Sequence, residues 1–158
     1  MKVTIRRATL TDSETVLELI RGLADYEKLD RPDESACARL IADGFGESPR
    51  FEAWLAELDD VAVGYAILFE TYSSFLARPT LYLEDLFLHP DVRGRGIGKK
   101  FLKTLAQEAV TRGCGRMEWV CLDWNTPSIS FYENLGAKQM PEWVSFRLDG
   151  VELKLLGS

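Results

Sequence analysis

A mixed α/β fold is predicted, with a mostly antiparallel central sheet flanked by helices on both faces, and three observations predict it. Strand-length apolar runs alternate with stretches of helical periodicity along the chain. Two long strand candidates in the middle are separated only by Asp59 and Asp60, which makes that region antiparallel. The 158 residues, 46% of them hydrophobic, suffice for one core, so residues 1–158 are expected to form a single domain.

The elements follow in order. Residues 3–7, VTIRR, alternate as a short strand does, and TDSE offers a capping box, Thr11 with Glu14, ahead of Val16, Leu19, Ile20 and Leu23 at helical spacing. A second helix is expected from about Glu34 to Ala42, closing on DGFG, where Gly44 and Gly46 permit positive φ. RFEAWLAEL and AVGYAILFETY read as a hairpin, and TLYLEDLFLHP as a further strand that stops at Pro90. Glu84 and Asp85 stand inside that apolar strand and need a reason. Ile97, Phe101 and Leu105, with Leu102, Ala106 and Ala109 alongside, define a long amphipathic helix that ends near Gly113. MEWVCLDW reads as a strand, and Asn125 with Pro127 opens the helix SISFYENL, closed by Gly136. The last residues, WVSFRL and VELKLL around Asp149 and Gly150, are expected to form a hairpin.

Composition excludes several classes of function. No apolar run approaches the ~18 residues that span a bilayer, and no signal-peptide core precedes the first helix, so the chain is expected to be cytoplasmic and free of membrane. Cys37, Cys114 and Cys121 form no C-x-x-C pair, which suggests free thiols and no metal site. A net charge of -6 disfavours nucleic acid as a partner. The lone histidine, His89, precedes Pro90 at a strand end, where a turn role is expected, and no G-x-S-x-G elbow is present for a serine triad.

The stretch HPDVRGRGIGKKF, residues 89–101, carries the chemistry. It follows a strand and opens a helix, where unpaired N–H groups and the helix dipole favour an anion, and glycines let a phosphate approach the backbone. A dinucleotide fingerprint fails, because Lys99 or Phe101 falls where its third glycine belongs. A triphosphate loop fails too, because Lys100 follows Lys99 where Ser or Thr is required.

What survives is R-x-x-G-x-G, with Arg93, Gly96 and Gly98, and this resembles the pyrophosphate signature of the GNAT superfamily of N-acetyltransferases. LYLEDLFLHPDVRGRGIGKKFL, DWNTPSISFYENLGA, LADYEKL and DGFGE together resemble its diamine (spermidine/spermine) acetyltransferase branch. The resemblance implies acetyl-CoA as co-substrate, its pantetheine arm along Leu86, Phe87 and Leu88 and its pyrophosphate among Arg93, Gly94, Arg95, Gly96, Ile97, Gly98 and Lys99. Arg95, Lys99 and Lys100 can supply charge to the phosphates. Asn125 and Ser128 would touch the cofactor, and Tyr132, one turn after Ser128, would protonate the departing thiolate.

An alkyl amine with a pKa of ~10.4 arrives protonated, so a base must take its proton. Glu84 is expected in that role, with Asp85 the alternative. Tyr26 and Glu27, by resemblance, join Glu84 and Asp85 in binding a small polyamine or lysine-like amine, and Glu142 could extend the acidic trough. Phe75 falls where an aromatic wall is expected. Direct attack in a ternary complex is implied, as is a homodimer with the C-terminal hairpin near its interface. A protein lysine or N-terminal acetyltransferase would share the cofactor site, whereas a non-catalytic acyl-CoA sensor would have no need of Tyr132 and Glu84.

Overall fold

Five strands form one sheet in chain order. β1 (Val3–Arg7), β2 (Glu52–Leu58), β3 (Val61–Ser73) and β4 (Arg78–Leu88) are antiparallel, and β5 (Arg116–Glu118) runs parallel to β4. The computed structural model describes residues 1–158, which fall into two units, Met1–Val120 with the whole sheet and Cys121–Ser158.

In the first unit the β2–β3 turn is made by Asp59 and Asp60 at φ 50° and 66°, the left-handed pair that a two-residue hairpin requires. Leu55 and Ala56 are both fully buried, as are Tyr65 and Ala66. Because successive strand residues point to opposite faces, both faces of the sheet are covered. On one face, Val16 and Leu19 of α1 (Ser13–Glu27) pack with Leu55, Tyr65, Ile67 and Phe87, and Phe45 from the end of α2 (Glu34–Phe45) joins them. The other helix of this unit, α3 (Ile97–Thr111), buries Ile97, Phe101, Leu102, Leu105 and Ala109, each large side chain contributing roughly 2 kcal/mol.

Local details differ from expectation for physical reasons. α1 starts at Ser13 and does not use the Thr11–Glu14 box. The box forms around a preceding 3-10 turn, Leu10–Asp12: the Thr9 N–H donates to Asp12 Oδ2 at 2.8 Å, while Arg6 holds both Asp12 oxygens at 2.9 Å. A carboxylate already fixed by a guanidinium is a stronger cap acceptor than a threonine hydroxyl. α2 runs on to Phe45, and Gly46 has φ -78°, so neither residue of DGFG is chosen for positive φ. Space selects them instead, since a Cβ at Gly46 would stand 2.4 Å from the Ala42 carbonyl oxygen and one at Gly44 2.6 Å from the Phe51 ring. Of the expected MEWVCLDW strand only Met117 and Glu118 are paired, and with Arg116 they form β5 against Thr80–Tyr82, because β4 bulges two residues further on and the parallel ladder stops.

In the second unit, α4 (Thr126–Asn134) begins as expected, with Asn125 Oδ1 accepting the Ser128 N–H at 3.4 Å. The expected C-terminal hairpin is not formed. Residues 143–149 carry no strand, and Gly150–Leu156 is a helix, α5, with Asp149 extended before it and accepting the Leu153 N–H at 3.2 Å. VELKLL is rich in good helix formers, and a helix satisfies its backbone locally where a strand needs a partner.

Candidate active site

The two acids of β4 lie at an irregularity in the sheet. Ile67 pairs with Asp85 and Leu68 with Leu83, which leaves Glu84 as an extra residue, a β-bulge. Glu84 is exposed there. Asp85 remains in register, half-buried, and accepts a hydrogen bond from the Tyr65 hydroxyl at 2.9 Å. Tyr65 pairs with Phe87 across the ladder and is wholly buried. Burial pushes the Asp85 carboxyl up to about 6, against the Tyr65 hydrogen bond, which lowers it, and Glu84 and Glu27 add repulsion in the upward direction. The Tyr65 phenol is pushed well above its ordinary range by burial and by the Asp85 charge, so it stays a donor.

α1 delivers Tyr26 and Glu27 in its last turn, which ends in the left-handed residue Lys28 at φ 59°. Beside them lies Arg93. Its guanidinium sits 4.6 Å over the Tyr26 ring and 5.7 Å from the Phe87 ring, and its Nε donates to the Leu88 carbonyl at 3.0 Å. The arginine of the motif is thus turned toward α1 and β4. Lys100 is also engaged, by the Val3 carbonyl. All four cations are exposed, and the side chains of Arg95 and Lys99 make no hydrogen bond or ion pair.

The loop between β4 and α3 is open. Gly94 and Gly96 have φ 77° and 78°, and a Cβ at either would meet nothing within 4 Å. Their conformation, not crowding by the protein, calls for glycine. Gly96 caps α3, whose first turn holds no acid, so the N–H groups of Ile97, Gly98 and Lys99 have no acceptor inside the helix. Ile97 is buried and anchors this turn. Just before the loop, β4 has no strand partner on its β5 side after Tyr82, so Leu86, Phe87 and Leu88 lie on an edge without a neighbouring strand, the Leu88 carbonyl being held by Arg93. A diphosphate and an extended amide-bearing arm fit these two features.

The remaining expected residues are divided between the two units. Asn125 is buried and acts as the α4 cap, and Ser128 and Tyr132 are half-buried one turn apart on that helix. The Tyr132 ring is 5.5 Å from Phe131. Glu142 is exposed, and Phe75, in the β3–β4 turn of the first unit, is fully exposed. His89 has its Nδ1 3.4 Å from Asp91 and its N–H on the Val63 carbonyl, a turn arrangement. Cys37, Cys114 and Cys121 are free thiols.

Tyr65 is the site residue that sequence reasoning passes over, because VGYAIL reads as core. Its signal was the hydroxyl, which a fully buried tyrosine must place on a partner. Comparison with known proteins agrees with the geometry: residues 15–137 match the model described as Acetyltransferase (GNAT) family. The chain belongs to the GNAT family. A thialysine N-epsilon-acetyltransferase of Sus scrofa is 38% identical over 98% of this chain and 96% of its own length. A spermidine/spermine N(1)-acetyltransferase-like protein 1 of Homo sapiens is 36% identical over 94% of this chain and 23% of its own. Among solved structures, an integron cassette protein from the mobile metagenome of V. cholerae superposes with a TM-score of 0.87 at 26% identity, covering 99% of this chain and 98% of that one. This GNAT protein is an acetyl-CoA-dependent N-acetyltransferase. None of its helices is long and apolar enough to cross a membrane.

Proposed function

We propose that this enzyme acetylates a primary amine of a small cationic substrate, thialysine-like or polyamine-like, by direct attack in a ternary complex. The observation that carries the proposal is the carboxylate group at the bulge, where Glu84 and Glu27 are near enough to repel the Asp85 charge and no ion pair neutralises Asp85. Such a site draws an ammonium and relieves its own repulsion in doing so. The names of the relatives support this class of substrate.

Acetyl-CoA supplies an acetyl group already activated as a thioester. Arg95, Lys99, Gly94, Gly96 and the free N–H groups of Ile97 and Gly98 are suited to its pyrophosphate, and Leu86, Phe87 and Leu88 to its arm. Asn125 and Ser128 are assigned to cofactor contact, and Tyr132 to proton donation toward the leaving sulfur. Tyr26 and Glu27 border the amine site, and the Glu84–Asp85 pair accepts the proton. Arg93 supports this site by bracing Tyr26 and Leu88.

Residues 1–158 act as one acetyltransferase domain in this scheme, consistent with relatives aligned over 98% of the chain. A cytoplasmic homodimer is proposed with it, supported by the apolar side chains Trp143, Val144 and Phe146, which are exposed in the single chain. The test is acetyl-CoA-dependent thiol release with spermidine, spermine, putrescine, thialysine, lysine and a lysine-containing peptide. Turnover on thialysine or a polyamine is expected. Turnover on the peptide with none on any free amine overturns the proposal.

A further inference from the structure

Resting on the amine-acetylation proposal above, we infer that Asp85 is the side chain that takes the amine's proton and that Tyr65 is a positioning residue holding that carboxylate through its hydroxyl. The bond is 2.9 Å long and engages Oδ2. Its donor sits on a ring with no solvent exposure, packed in the same cluster as Leu55, Ile67 and Phe87. Such a ring has little freedom to move, so the oxygen it holds is fixed as well. A phenylalanine would fill the same apolar site, and a buried hydroxyl is costly unless it is partnered. The hydroxyl therefore has its reason in Asp85.

The charged neighbours leave Asp85 ready for a cation. From β4 comes Glu84, from α1 comes Glu27, and from β3 only the Tyr65 hydroxyl. Arg93, which lies over Phe87, gives its Nε to the Leu88 carbonyl and its face to Tyr26. A carboxylate locked in an ion pair is a weak base, whereas one that titrates near 6 is ionised at neutral pH and stronger than an ordinary aspartate. Glu84, out on the bulge, is placed to meet the substrate first and to pass the proton to water afterwards.

The step balances without a further reactant. The nitrogen lone pair forms a bond to the acetyl carbon, the carbon–sulfur bond breaks, and its electron pair leaves on sulfur. A substrate that arrives as an ammonium loses two protons in all. One ends on the departing sulfur, and the other goes to Asp85 and then to solvent.

The experiment compares wild type, Tyr65→Phe, Asp85→Asn and Glu84→Gln in the full chain. Without its donor the Asp85 carboxylate is harder to ionise, so Tyr65→Phe should move the acid limb of kcat/KM upward by about one pH unit, with most of the rate recovered at high pH. Asp85→Asn should lower kcat at least ~100-fold with acetyl-CoA affinity kept. Carboxyl carbon NMR of aspartate-labelled protein, free of acetyl-CoA, should show a group titrating near pH 6 that vanishes in Asp85→Asn and moves up in Tyr65→Phe. An unmoved limb in Tyr65→Phe, a limb abolished by Glu84→Gln alone, or full activity in Asp85→Asn overturns the inference. If Tyr65→Phe does not fold, the kcat of Asp85→Asn decides, with full activity overturning the inference. A wild type silent toward every amine would end the amine proposal, while the carboxyl titration would still decide the Tyr65–Asp85 pair.

Discussion

Arg93 is engaged by the protein's own groups. The GNAT signature suggests a phosphate contact, and the guanidinium lies 4.6 Å from the Tyr26 ring and 5.7 Å from the Phe87 ring and is bonded to the Leu88 carbonyl. Lysine could keep the charge but could not stack and donate in the same way. Arg93→Lys is therefore expected to cost ~1–2 kcal/mol of stability and less than tenfold in CoA affinity. Replacing Arg95 and Lys99 together with alanine should lower that affinity 10- to 100-fold in a salt-dependent manner, with stability unchanged. Calorimetry and thermal melts give both numbers, and the opposite ranking would return Arg93 to the pyrophosphate. At Gly96 the same two measurements separate in another way. A valine there adopts φ 78° at a cost of ~1–2 kcal/mol, and its Cβ meets no protein atom within 4 Å, so it stands in the space over the α3 N-terminus. Loss of CoA binding with folding retained is the expected outcome.

The elements are legible where their causes are local and obscure where they are not. Asn125 caps α4 through the backbone of its own first turn, and Asp59–Asp60 turns the hairpin because aspartate tolerates the left-handed region, so the sequence shows both. The bulge at Glu84 depends on how β4 registers against β3, so two acids in an apolar strand were visible as an anomaly but not as a geometry. The short β5 and the helix α5 fall in the same class, since a strand pattern such as VELKLL becomes a strand only where an edge waits for it. The cradle was readable from Gly94, Gly96 and their place between strand and helix, whereas the inward turn of Arg93 needed coordinates. One element-scale prediction concerns Gly64, opposite Leu88. A Cβ there would lie 2.5 Å from the Phe87 carbonyl oxygen and 2.4 Å from Leu88 Cδ2, so Gly64→Ala must push the end of β4 away. A loss of ~1–3 kcal/mol is expected in denaturant unfolding, with faster hydrogen exchange at Leu86–Leu88 and a lower kcat/KM. Exchange that stays slow there would show that β4 is not braced by this contact.

Across the molecule two carboxylates link folding to pH with opposite signs. Asp12 is held far below the ordinary carboxylate range, first by the Arg6 hydrogen bonds. Its folded pKa is lower than its unfolded one, so its contribution is present above about pH 4 and is lost as the pH falls toward the folded value. Asp85 is the reverse case. Its carboxyl rises from 3.8 to about 6 on folding, the native state holds the extra proton between those values, and stability is lost as the pH rises through that window. Above it the loss is complete and amounts to at most ~3 kcal/mol. Stability should therefore climb from pH 2 to about 4 and then decline toward 6, and Asp85→Asn should remove the decline, gaining ~1–3 kcal/mol at pH 7.5 and almost nothing at pH 4. Urea unfolding of the two proteins across this range measures the difference. A gain independent of pH would mean that the buried carboxylate carries no ionisation cost, and with it would go the physical reason for a base at Asp85.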